Sequence, residues 1–92
     1  KVVKLLTDNP TIQIELSSHT DARGGSAQNL QLSQQRAEAA MNYIVSKGIV
    51  KLRIVAKGYG DTKIKNRCKK GVNCSDEEHA ENRRTEIKVI NF

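Results

Sequence analysis

The 92-residue chain has no tryptophan, one phenylalanine, two tyrosines and one proline, and its aromatic content is 3%. Its interior must therefore be filled by Ile, Val, Leu and Ala without large rings, which suits a thin, compact α/β layer. No apolar run approaches the roughly 18 residues that argue for a membrane span, and no apolar h-region marks a signal peptide. A glycine-rich phosphate loop is missing too. Ser17, Ser18, His19 and Asp21 are residue types of a hydrolase triad, but four neighbours at one strand end cannot wrap around a substrate. These absences leave one small domain that is not an enzyme, needs no cofactor and shows neither repeat nor low-complexity tract. The chain opens at Lys1 without Met, and we read it as a segment of a longer protein whose export signal or anchor lies upstream.

What is present is basic. Sixteen Lys and Arg stand against ten Asp and Glu, a net charge of +6, which by itself invites an acidic polymer. The charge is uneven. Lys57, Lys63, Lys65, Arg67, Lys69 and Lys70 face Asp61 alone, and Asp76, Glu77, Glu78 and Glu81 follow, so the two stretches can neutralise each other within one loop. As a nucleic-acid site the basic run lacks interleaved aromatics, Tyr59 being the only ring near it, and no nucleic-acid partner is expected.

Residues 1–8 have the apolar spacing of the last turns of an amphipathic helix, ended by Asn9-Pro10. Ile12, Ile14 and Leu16 alternate with Gln13, Glu15 and Ser17, which predicts a strand over Thr11–Ser17 with one buried side. Ser18–Ser26 reads as a loop. A long helix is predicted from about Ala27 to Lys47, stopped by Gly48. Further strands are predicted at Leu52–Lys57, closed by Gly58-Tyr59-Gly60-Asp61, and at Thr85–Phe92, with one short helical turn near Asp76 in the polar linker between them. The expected fold is a two-layer α/β sandwich, a mixed sheet with helices on one face. The first helix has no strand before it, and a missing N-terminal strand would supply its partner.

The chemistry concentrates in His19-Thr20-Asp21-Ala22-Arg23-Gly24 and in Asn29, Leu32-Ser33 and Arg36-Ala37. On a helix, positions 29, 32, 33 and 36 share one stripe. Asp21, in the loop feeding that helix, can curl back over its first turns, and with Arg36 it would bracket a small zwitterion: Asp accepts from an ammonium, while the planar fork of Arg pairs with a carboxylate. The bland alternative is an ordinary loop-to-helix ion pair, worth about 0 to 1 kcal/mol if exposed.

The pattern HTD, a Gly-containing loop, N-x-x-L-S-x-x-R-A, then G-Y-G-D and N-R-R-T-E resembles the OmpA-like domain family over about Leu5–Phe92. The family includes domains of outer-membrane proteins, peptidoglycan-associated lipoproteins and flagellar stators. The resemblance implies noncovalent binding of the peptidoglycan stem peptide at the periplasmic face of the outer membrane. It casts Asp21 and Arg36 as holders of the amino and carboxylate groups of diaminopimelate, with Thr20, Asn29 and Leu32 shaping the pocket and Arg83 contributing from N-R-R. It also implies a parent anchored upstream and allows a dimer. Ser18 stands where many members have Gly before HTD.

Cys68 and Cys74 lack the usual C-x2-4-C knuckle and a fourth ligand for zinc, and His19 with Asp21 are too few for a metal site, so no metal is expected. In an exported domain the cysteine pair is more simply a disulfide, worth roughly 2 kcal/mol; in a cytosolic one it would be two thiols. His19 is expected to brace the loop as a donor. The alternative function is a basic polyanion or nucleic-acid-binding module.

Overall fold

A computed structural model describes residues 2–92. The elements run α1 (Val2–Asp8), β1 (Gln13–His19), α2 (Ser26–Ser46), a 3-10 turn (Lys51–Arg53), β2 (Ile54–Gly60), α3 (Asp76–Ala80) and β3 (Arg84–Asn91). The strands form one sheet in the order β2-β1-β3. β1 and β2 are parallel, with Ile14 opposite Ile54 and Leu16 opposite Ala56, and β3 runs antiparallel to β1 with Leu16 opposite Ile87. The β1-α2-β2 crossover makes the parallel pair, and the mixed α/β layer expected from the sequence is the fold observed.

The buried core is aliphatic: Leu6 from α1, Ile12, Ile14 and Leu16 along β1, Ile44 from α2, Ile49, and Ile54 from β2. Each such side chain contributes roughly 1.5–3 kcal/mol by leaving water. Arg53 closes this end by donating to three backbone carbonyls, those of Ile12 (3.1 Å), Leu6 (2.9 Å) and Asn9 (2.6 Å). It thereby satisfies acceptors that the end of α1 would otherwise leave open.

α2 meets β2 at very short range. A Cβ at Gly58 would lie inside contact distance of the Gln34 backbone nitrogen and Ser33 Oγ, so glycine is required there by space. The close approach lets α2 serve the strand's polar groups. Gln34 accepts from Gly58 N–H (2.8 Å) and donates to Ala56 C=O (3.0 Å), and Ser33 Oγ accepts from Gly60 N–H (2.8 Å). At the far end of α2, Lys47 N–H bonds the Ile44 carbonyl, and Gly48 takes φ 100° as the expected left-handed stop.

Two differences from the sequence reading matter for the site. β1 continues to His19, and Ser17, expected on the open face of the strand, is buried together with Ser18 to Asp21, which read as a polar loop. The predicted second strand is also displaced: Leu52 and Arg53 belong to a 3-10 turn too short to show a period, and β2 runs on through Gly58, Tyr59 and Gly60, which read as its closing turn.

Candidate ligand-binding site

The polar end of β1 is stitched to its surroundings rather than solvated. Ser18 Oγ meets Thr85 Oγ1 at 2.8 Å, Thr20 N–H donates to the Gly60 carbonyl at 2.9 Å, and Thr20 Oγ1 donates to the Asp21 carbonyl at 2.9 Å. Beyond it the chain turns, and the Asp21 side chain, 9% exposed, accepts three hydrogen bonds. Oδ1 receives Arg23 N–H (2.9 Å), while Oδ2 receives Arg23 Nη2 (3.0 Å) and Arg83 Nη1 (2.8 Å). Burial opposes ionisation of this carboxyl, but the bonds from Arg23 and Arg83 outweigh it and hold the pKa far below the usual carboxylate range. A carboxylate has about four lone-pair sites. Three are taken, which leaves one lone-pair site of Oδ1 without a donor among the described residues.

A second buried carboxylate fixes the loop from behind. Asp61 accepts from Ser26 Oγ (3.1 Å), Asn29 Nδ2 (3.2 Å) and Lys70 Nζ (3.1 Å). Asn29 also donates to the Arg23 carbonyl at 2.9 Å, so one amide links the start of α2 to the loop bearing Asp21. Lys70 donates to the Ala22 carbonyl (3.0 Å) and the Gly24 carbonyl (2.7 Å) as well. Its own segment is closed by a Cys68–Cys74 disulfide with Cα atoms 6.0 Å apart, as expected for an exported domain. With both sulfurs in that bond, the neighbouring Glu78 has no thiolate with which to share a cation.

The structure brings Asp21, Thr20, Asn29 and Arg83 together. It does not join Arg36 to Asp21. Arg36 is exposed and has no hydrogen bond or ion pair among the described residues, and Leu32 is likewise exposed on α2. A shared helix stripe fixes direction but not height: seven residues separate Asn29 from Arg36, a rise of roughly 10 Å. In the free protein the partners of Asp21 are Arg23 and Arg83. Arg23 escaped the sequence reading, although an Asp accepting from the N–H two residues on is a recurrent local turn that could have flagged it.

His19 corrects another expectation. It braces nothing by hydrogen bonding: the side chain is 2% exposed, both ring nitrogens lack partners, and the ring stacks on Tyr59 at 5.3 Å between centroids. Burial, reinforced by the nearby Arg84, lowers its pKa. Asn82, the first residue of N-R-R, is fully buried and was not singled out beforehand. It accepts from Lys65 N–H at 2.9 Å and donates to Asn66 Oδ1 at 2.9 Å, tying the disulfide loop to the start of β3. The basic stretch is partly neutralised internally, through Arg67–Glu78 (2.9 Å) and Lys70–Asp61 (3.1 Å), and Arg84 at the start of β3 pairs with Glu86 (2.7 Å).

A mixed sheet with helices on one face, and a buried polar strand end opening onto a charged loop, define a small α/β module. The chain belongs to the OmpA family, whose model matches residues 1–83. It is 35% identical over 80 residues to outer membrane porin F of Pseudomonas fluorescens, covering 87% of this chain and 23% of the porin. Among solved structures it resembles the peptidoglycan-associated lipoprotein from Burkholderia pseudomallei (TM-score 0.82, 27% identity, 97% of this chain and 71% of that one). It also resembles the cell wall anchor of the T6SS from Pseudomonas aeruginosa (TM-score 0.76, 27% identity, 99% of this chain and 62% of that one). The chain spans only 9% to 37% of the length of three curated relatives that it matches along most of its own length, one of them a photosystem I apoprotein of Gloeobacter violaceus.

Proposed function

We propose that this domain binds peptidoglycan noncovalently and anchors its parent protein to the cell wall in the bacterial envelope, without catalysing a reaction. The observation that carries the reading is Asp21: a nearly buried carboxylate, kept ionised by Arg23 and Arg83, with one acceptor site left on Oδ1. Such a group suits a ligand ammonium. Arg36, unpaired on the neighbouring helix, is suited to the ligand carboxylate, and the amino-acid head group of diaminopimelate offers both charges. Thr20 and Asn29 hold the loop, and Leu32, exposed on α2, offers an apolar surface for the ligand's methylene chain. The names of the lipoprotein and of the T6SS anchor support a cell-wall partner. Their identities and the fold support the class, and the diaminopimelate assignment rests on the residues.

The polyanion reading is weaker because two cations of the basic stretch, Arg67 and Lys70, already face carboxylates at 2.9–3.1 Å. The deciding experiment is titration of the folded domain, wild type and Arg36→Ala, with a diaminopimelate-containing stem peptide and with one amidated at the side-chain carboxyl. Arg36→Ala should weaken the acid peptide about tenfold to a hundredfold and the amidated one far less. Equal affinity of Arg36→Ala and wild type, together with a steep salt dependence of binding, would favour a polyanion site.

A further inference from the structure

Behind Arg23 lies a cavity of about 330 Å³ that the binding reading leaves unused. Its wall includes Arg23, Lys69, Lys70, Gly71, Val72 and His79, and no acidic residue among the described residues. Lys69 and Lys70 lie inside the ring closed by Cys68–Cys74, so the disulfide holds two cations over the loop that carries Asp21. The cations are not equivalent. Lys70 Nζ already serves two carbonyls and Asp61, whereas Lys69 is exposed with no side-chain partner among the described residues. His79, in the cavity wall, is 6% exposed, and its Nδ1 is a buried atom without a hydrogen-bond partner. Arg23 joins the two places: its Nη2 is on Asp21, its Nη1 makes only a long 3.4 Å contact with the exposed Asp76, and its side chain lines the cavity.

We infer that the disulfide-closed loop supplies a second, anion-binding subsite beside Asp21, built from Arg23, Lys69 and His79, and that it takes the C-terminal carboxylate of the stem peptide. The inference rests on the reading that Asp21 holds the diaminopimelate ammonium. A carboxylate suits the cavity better than a phosphate because Lys70 has no hydrogen left to give, so the donors are few and match two oxygens. A solvated lysine loop, the bland alternative, accounts for neither the clasp nor the unpartnered imidazole.

The test uses a tripeptide ending in diaminopimelate, its C-terminal carboxyl free or amidated, titrated at fixed ionic strength against wild type, Lys69→Ala, Lys65→Ala and Asp21→Asn. The free acid should bind wild type about tenfold better than the amide, and Lys69→Ala should abolish most of that preference while leaving amide binding unchanged. Lys65→Ala, a charge loss outside the cavity, should keep the preference. If Lys69→Ala weakens both peptides by one factor, or the preference survives it, the subsite is wrong. Asp21→Asn separates the two ideas. Loss of binding in Asp21→Asn with a preference indifferent to Lys69 overturns the subsite alone, whereas wild-type binding by Asp21→Asn overturns the underlying reading. Inorganic phosphate competing better than acetate at equal ionic strength counts against the carboxylate.

Discussion

The two ends of β1 are built on different principles. At the first, Ile12, Ile14 and Leu16 interlock with Leu6, Ile44 and Ile54, contacts that are additive and tolerant of direction. At the second, Ser17 to Asp21 are just as buried, but each polar group there has a specific partner or, at His19, none. Desolvated polar groups are costly unless bonded, so the second end must be held in one geometry by long-range contacts from Arg83, Lys70 and α2. The apolar end fixes the fold, and the polar end uses that rigidity to hold the Asp21 loop in place.

The sharpest break of this comparison is at the apolar end. Ile14→Ala should cost about 2–5 kcal/mol in chemical denaturation, through lost transfer energy and the cavity left behind, while the molecules that remain folded bind stem peptide with wild-type affinity. Asp21→Asn should do the reverse. It should lower stem-peptide affinity about tenfold to a hundredfold, with a smaller stability change, because the orphaned Arg23 and Arg83 side chains can turn to water. If Asp21→Asn unfolds the domain and Ile14→Ala abolishes binding in folded protein, the division between the ends is wrong.

Reduction of the disulfide tests the brace between loop and site. On the chain-entropy model the short ring contributes about 2 kcal/mol, so a reducing agent should lower the melting temperature, and it should also weaken stem-peptide binding by loosening Lys70 on the Ala22 and Gly24 carbonyls. A lowered melting temperature with unchanged affinity would separate the loop from the site.

The same division explains what was legible in the sequence. Strand β1, helix α2 and the strands after it follow from apolar alternation and the Gly48 stop, because local period and burial agree there. Asp21, Asn29 and Arg83 were readable as motif positions. Their pairing was not: Arg83 reaches Asp21 from 62 residues away and Lys70 reaches Ala22 from 48, distances over which no period or turn rule operates. Ser18 to Thr20 look like a loop because polarity predicts exposure only when no partners wait inside. The Asp21–Arg36 couple rested on helical direction alone, and in the free protein Asp21 is instead bonded to Arg23 and Arg83.

The smallest expected effect concerns His19, the one member of the polar end without a partner. Burial, then the charge of Arg84 and of Lys63, lowers its pKa, against opposing contributions from Glu86 and Glu15. The folded protein therefore keeps the ring neutral at a pH where the unfolded chain, with a pKa of about 6.5, takes up a proton. More protons on the unfolded side means that stability rises with pH, so it should be complete above about pH 6.5 and decline as the pH falls from there toward the folded pKa. Glu15 and Glu86 have lowered values, so their losses begin only below the ordinary glutamate range, and the strongly lowered Asp21 titrates lower still. Between about pH 6.5 and 5 the slope attributable to His19 cannot exceed about 1.4 kcal/mol per pH unit for one proton. His19→Phe keeps a ring to stack on Tyr59 and removes the titration, so urea midpoints measured across this window should show a flatter profile for the variant than for wild type. Parallel profiles would mean that the imidazole finds compensation in the folded state, with Glu86 at 3.7 Å moving in to pair with it, and the polar end would then have no unsatisfied member.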